Sequence, residues 1–173
     1  MEQIKSLIIP FVGLKEGEHH FHYLVADDFF EQFDSSIIQS ADFDIEIELL
    51  KKANMLEFNF QLKGEIYTIC DRCGSDIAVP VSSSERLIVK FGEGQESVVD
   101  EILILPQGAH EVDLTGVLYE YLNVLMPVKV VHEKVGHCDQ EVIKKLKQYA
   151  SSKHTAETDP RWLALAKLKE NDK

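Results

Sequence analysis

The sequence predicts an α+β fold: a mostly antiparallel β-sheet or partly closed barrel, with helices in the C-terminal third. Three observations carry this. Residues 42–63 alternate apolar and polar with a period of two. Short β-rich runs, separated by turn residues, recur on both sides of that segment. At Asp113 the apolar spacing changes to that of a helix, so strands come first and helices last.

Taken in order, residues 6–11 and 20–25 read as strands, and 27–33 as a short helix capped by Asp27. The clearest pattern follows. Phe43, Ile45, Ile47 and Leu49 alternate with Asp42, Asp44, Glu46 and Glu48. Leu56, Phe58, Phe60 and Leu62 then alternate with Glu57, Asn59, Gln61 and Lys63. Successive strand side chains point to opposite faces, so each run has a dry and a wet side. The intervening Lys51-Lys52-Ala53-Asn54 reverses the chain, which predicts an antiparallel hairpin. The acidic stripe on the first strand is most simply its solvated face. Further strands are predicted over 66–70, 77–81, 86–91 and 98–105, with the serine triplet 82–84 as a break and Phe91-Gly92-Glu93-Gly94 as a turn.

From Asp113 the apolar residues Leu114, Val117, Leu118, Tyr121, Leu122 and Leu125 fall on one helical face, with Asp113 as N-cap and Pro127 as the limit. A second helix is predicted from about Asp139 to Ala150, with Val142, Ile143, Leu146 and Tyr149 on one side. Residues 151–158 read as a polar linker. A last short helix then starts with Asp159 as N-cap and Pro160 in its first turn. The expected organisation is one α+β domain over 1–150, then linker and helix over 151–173.

The chain has 173 residues, and its 45 % hydrophobic and 28 % charged content suits a soluble domain with a real core. The N-terminal apolar run stops at Pro10, too early for a signal peptide, and no stretch approaches the roughly 18 apolar residues of a membrane span. A cytoplasmic location is expected, where thiols stay reduced. The formal charge of −12 is unevenly spread: residues 1–138 hold ten basic and twenty-four acidic side chains, and 139–173 hold eight and six. An acidic body repels phosphate backbones and suits a basic protein partner better, although such a surface also serves solubility alone.

The chemistry concentrates at Cys70-Asp71-Arg72-Cys73-Gly74. Two thiolates at this spacing can grip one zinc ion, and the glycine lets the turn aim amide donors at sulfur. Structural zinc takes four protein ligands. The remaining candidates are His132, His137 and Cys138, between the two predicted helices. Cys70, Cys73, His132 and Cys138 would make a Cys₃His site. His137 is the alternative, disfavoured because it adjoins Cys138 and neighbouring residues rarely turn toward one metal. Two other readings compete: a pair of inert half-buried thiols, and a redox pair, which would want its first cysteine at a helix N-terminus. His19, His20 and His22 lie near a strand start, where an exposed histidine pair is commonly inert; His110 and His154 stand alone. No phosphate-binding loop, zinc-protease or nucleophile-elbow motif is present, and no catalytic pair stands out, so neither catalysis nor a small-molecule substrate is expected.

The motif "CDRC", the stretch "EVDLTGVLYEYLNVLMPVKVVHEKVGHC" and the ending "DPRWLALAKLK" together resemble the YceD family, the large ribosomal RNA subunit accumulation proteins. The resemblance spans roughly residues 45–170. It implies a role in the accumulation of large-subunit ribosomal RNA and hence in ribosome assembly, in a family without established enzymatic activity. Many members complete a four-cysteine site after the helix; this chain offers His132, His137 and Cys138 instead. The leading expectation is a non-catalytic assembly factor, stapled by structural zinc, that binds a large-subunit ribosomal protein or a pre-ribosomal particle. Lys144, Lys145, Lys147 and Lys153 are weaker candidates for contacts to RNA phosphate, since lysines on a helix commonly serve only as its solvated face. The alternative is a metal-dependent RNA-processing hydrolase, which would need an open metal position beside a general base.

Overall fold

The computed structural model describes residues 2–34, 36–92, 97–99 and 101–150. The strands are β1 (Glu2–Gln3), β2 (Ile8–Pro10), β3 (Gly17–Val25), β4 (Ser40–Lys52), β5 (Met55–Ile69), β6 (Asp76–Gly92), β7 (Ser97–Val99), β8 (Ile102–Pro106) and β9 (Glu111–Asp113). The helices are α1 (Asp27–Phe30), α2 (Thr115–Val124) and α3 (Gln140–Tyr149), with a 3₁₀ turn at Val135–His137.

The α+β architecture is as predicted, and the sheet is open. Seven strands run in the order β1-β3-β4-β5-β6-β8-β7, and β2 pairs with β9 in a separate two-stranded ribbon. Pairing is antiparallel except between β1 and β3 and between β6 and β8. The central hairpin has the expected register: Ile45 faces Leu62, Ile47 faces Phe60 and Leu49 faces Phe58 across β4 and β5. Its reversal is the two residues Ala53-Asn54 between Lys52 and Met55. All six of those apolar side chains are buried, while Asp42, Asp44 and Glu46 are exposed on the other face. A one-residue slip would move the whole apolar set into water, so the pattern itself holds the register.

The dry face is closed by α1 and α2. Phe29 and Phe30 of α1 and Leu118 and Leu122 of α2 join the same buried cluster. Phe60 meets the edge of the Tyr121 ring at 5.6 Å. Burying each such side chain contributes about 1.5–3 kcal/mol. The N-terminal segment is tied to the start of α2: Leu7 N–H donates to Thr115 Oγ1 at 2.9 Å, and Leu114 N–H donates to Leu7 O at 2.8 Å. Gly64 lies against the β4 backbone, where a Cβ would collide with Asp42 O and Phe43, so the sheet needs glycine there.

Several local expectations are corrected. The serine triplet does not break a strand; β6 runs through it, with Ser82, Ser83 and Ser84 opposite Lys63, Leu62 and Gln61. The long partner β5 supplies the ladder that serine's own propensity does not favour. Conversely, 98–105 is divided between β7 and β8, which pair antiparallel. Asp27 lies inside α1, and its Oδ1 accepts from Ala41 N–H at 2.9 Å, joining helix to sheet instead of capping. Asp113 ends β9 and Leu114 occupies the cap position of α2, but Asp113 Oδ1 still accepts from Thr115 N–H at 2.9 Å. α3 forms as predicted, with Asp139 Oδ1 accepting from Glu141 and Val142 N–H. Of its expected dry side only Ile143 is buried; Leu146 and Tyr149 are exposed. The linker and helix expected over 151–173 lie outside the described residues. Among the described residues no helix is long and apolar enough to cross a membrane.

Candidate metal centre

The turn between β5 and β6 carries the cysteine pair. Cys70 N–H donates to Ser75 O and Gly74 N–H to Cys70 O, both at 2.8 Å. Gly74 has φ +73°, in the left-handed region that suits glycine. This tight loop points both sulfurs to one side, where they are shielded from solvent.

The second half arrives from the chain after α2. Asp71 N–H donates to Val130 O at 2.7 Å, and Val130 N–H donates back to Asp71 Oδ2 at 2.6 Å. That two-point clamp lays the segment against the turn two residues before His132. The 3₁₀ turn then delivers Cys138, whose N–H donates to Val135 O at 3.2 Å. The Gln140 side chain donates to Cys138 O at 2.7 Å and Val135 O at 2.9 Å. Asp139 starts α3 immediately afterwards, so Cys138 is held between two anchored elements.

The outcome is a convergence of Cys70, Cys73, His132 and Cys138, whose donor atoms all lie within 4.8 Å of one another. His132 Nδ1 is 3.7 Å from Cys73 Sγ and 3.8 Å from Cys138 Sγ. A tetrahedron with zinc–sulfur bonds of about 2.3 Å and zinc–nitrogen bonds of about 2.0–2.1 Å has sulfur–nitrogen edges of about 3.5 Å, close to this spacing. One ring nitrogen carries at most one hydrogen, so hydrogen bonding alone does not account for both sulfurs at that range. All three thiols are free. The residues fit a structural zinc by number, chemistry and spacing. His137 is outside the converging set; it is exposed and borders a shallow cavity with Pro127, Val130 and Val131.

The surroundings favour thiolate at Cys70 and Cys73 and oppose it at Cys138. Burial opposes ionisation of Cys70, but backbone N–H groups of His132, Arg72 and Cys73 outweigh it and bring the thiol down to about 7. The Ser75 hydroxyl, 2.9 Å from Cys73 Sγ, leads the contacts that lower the Cys73 thiol. Burial raises the Cys138 thiol, against which Arg72 acts. Arg72 Nη1 donates to Cys138 Sγ at 3.6 Å and His132 O at 3.4 Å. With a divalent ion bound, three thiolates would leave one net negative charge, which this guanidinium would offset. Sequence reading assigned no role to Arg72, Asp71, Ser75 or Gln140. The arginine within the C-x-x-C loop was the one visible signal.

The remaining candidates stay apart from the metal centre. His22 Nε2 meets Asp44 Oδ1 at 2.6 Å, His19 Nε2 meets Lys15 O at 2.8 Å, and His20 is exposed. Lys144, Lys145 and Lys147 are exposed on α3; Lys153 lies outside the described residues.

Residues 58–169 match the model of a protein family described as large ribosomal RNA subunit accumulation protein YceD. That span starts within β5 and contains all four converging donors. No curated protein and no solved structure matches the chain.

Proposed function

We propose, from the premise that this chain belongs to the YceD family of large ribosomal RNA subunit accumulation proteins, that it is a non-catalytic factor in large-subunit assembly. It acts by binding a ribosomal protein or a precursor particle. Family membership implies the role in large-subunit ribosomal RNA; the binding mode is our reading.

The observation that carries the non-catalytic part is the donor set. Cys70, Cys73, His132 and Cys138 supply four ligands, the full complement of a structural zinc site. With all four engaged, no position remains for substrate or activated water, as a hydrolase would require. When bound, zinc would supply rigid cross-linking of the β5–β6 turn to the segment before α3. The acidic body supports a basic protein partner. Direct RNA contact is a subsidiary part of this reading and falls to Lys144, Lys145 and Lys147; each phosphate contact would steepen the salt dependence by about one unit of the log–log slope.

The test is the level of large-subunit ribosomal RNA after deletion of the gene, with capture of large-subunit components by the tagged protein at low and high salt. The reading expects RNA loss on deletion and capture that disappears at high salt. Normal RNA levels without the gene would reject it.

A further inference from the structure

β6 is paired with β5 from Asp76 to Lys90, but on its other side β8 joins it only from Ile88 to Gly92. Among the described residues, no strand pairs with the remaining stretch from Asp76 to Leu87 on that side. The direction of its backbone groups can be read from two hydrogen bonds. Ile88 N–H donates to Glu101 O at 2.8 Å, and Arg86 O accepts from the Tyr121 hydroxyl at 3.4 Å. Alternate strand residues face the same way, so the backbone groups of Ser84, Ser82 and Pro80 also point outward. Pro80 lacks an N–H and blunts its part of the edge. Residues 127–133 line a cavity of about 360 Å³ beside residues 77–80. Among the described residues, what remains between that cavity and Tyr121 is an edge at 81–85 without a strand partner, where Ser82 and Ser84 are exposed.

The charge around it has one sign in excess. Burial, with Glu85, Glu101 and Glu120 nearby, holds the Tyr121 hydroxyl up to about 12, which places three carboxylates around one end of the edge. Of the nearby cations, Arg86 is already paired with Glu57 at 2.7 Å, and Lys63 stands opposite Ser82 on β5. Toward the other end, a concave surface of about 870 Å³ on the wet face reaches Pro80 and Ser82; its charged lining is four carboxylates, Asp42, Asp44, Glu46 and Glu65, against one lysine, Lys63.

We propose that the β6 edge at residues 81–85 is a docking site for an extended lysine- or arginine-rich segment of a partner protein, which adds to the sheet as a short strand. This deepens, and rests on, the reading that the chain binds a basic ribosomal partner. Backbone N–H and C=O groups of Ser82 and Ser84 supply the ladder, and the surrounding carboxylates select the charge. A second copy of this chain is disfavoured, because two like edges would oppose their carboxylates in a protein of net charge −12. RNA lacks a peptide ladder and meets the same repulsion.

The test uses the full chain and a labelled synthetic peptide of alternating lysine and valine, followed by fluorescence anisotropy at about 0.1 M salt. Saturable binding is expected, with none for the glutamate–valine counterpart. N-methylation of one set of alternate peptide amides should weaken binding about tenfold, the scale of losing two backbone hydrogen bonds, and methylation of the other set should not. Ser84→Pro, which removes an outward donor and leaves the β5 ladder intact, should weaken binding as much. Should that variant misfold, the N-methylation comparison on the wild-type protein decides. Absent binding, or binding indifferent to methylation in both registers, overturns the proposal. In cells, a folded Ser84→Pro protein that restores RNA lost on deletion sinks the edge and leaves the assembly role standing. Deletion without RNA loss sinks the assembly role, while the peptide result stands by itself.

Discussion

The β4–β5 hairpin and the cysteine centre are both buried, but they hold together in different ways. The hairpin core consists of large apolar side chains from β4, β5, α1 and α2, including Phe29, Phe30, Phe58 and Phe60. It stabilises itself by removing apolar area from water. Among the described residues, the buried members of the second cluster are Cys70, Cys73, Cys138 and Ile143, with Ile77, Val131 and Val142 packed partly against it. Three of these four buried side chains are thiols, and among the described residues Leu146 and Tyr149 of α3 are exposed. The sheet is held by apolar area, whereas the core at the helical end is three thiols and one isoleucine, a donor set suited to a metal.

The strongest way to break the comparison is to remove the metal. Purified protein should carry one zinc per chain, and Cys73→Ser or a strong chelator should abolish it, with apparent binding energies of about 10–16 kcal/mol at stake. Hydrogen exchange should then show α3 and residues 127–138 losing protection while β4 and β5 keep theirs. Uniform loss across the sheet would refute the division into two regions.

Next in size is Phe60→Ala. It should cost about 3–5 kcal/mol of global stability, read by denaturant midpoint. Zinc stoichiometry in the folded variant should stay unchanged, because Phe60 belongs to the other cluster.

A smaller effect belongs to Arg72. Arg72→Ala should lower zinc affinity about 10–100-fold in chelator competition, since it removes a charge-assisted donor to a liganding sulfur. It should barely move the global melting temperature. Arg72→Lys should recover part of the loss through charge alone.

The mildest test is pH. In chelated protein the Cys70 and Cys73 thiols sit below their ordinary value of 9.0. A depressed folded value contributes stability that is present above 9.0 and lost as pH falls through the folded value, about 7 for Cys70. Thermal stability of the metal-free protein should therefore decline from pH 9 to pH 7. Burial shifts Cys138 upward, so it opposes this trend where the unfolded thiol begins to ionise near pH 9. Zinc-loaded protein should show no such decline, because metal holds the sulfurs ionised. A flat profile without metal would mean the amide donors do not aim at the thiolates.

Much of this was legible from residues near one another in the chain. The alternation at 43–49 and 56–62 specified the hairpin and its register. The Asp139 cap and Pro127 limit marked the helical boundaries, and Cys70 and Cys73 announced the centre. The serine triplet misled because a strand's tolerance for serine depends on its neighbour's ladder, and β5 is invisible from residues 82–84 alone. Asp27 looked like a cap because capping is the local use of an aspartate, whereas its actual acceptor role is toward Ala41, on the next strand.

Spacing within a few residues specified the periodic elements, the α+β order and the two donor types, cysteine and histidine. Only the tertiary structure decided that β6 continues through its serines, that the sheet stays open, and that His132 and not His137 meets the three thiols. Those outcomes turn on contacts between segments some sixty residues apart, such as Asp71 with Val130 and Arg72 with Cys138, and no local pattern encodes which distant backbone will be there to receive a side chain.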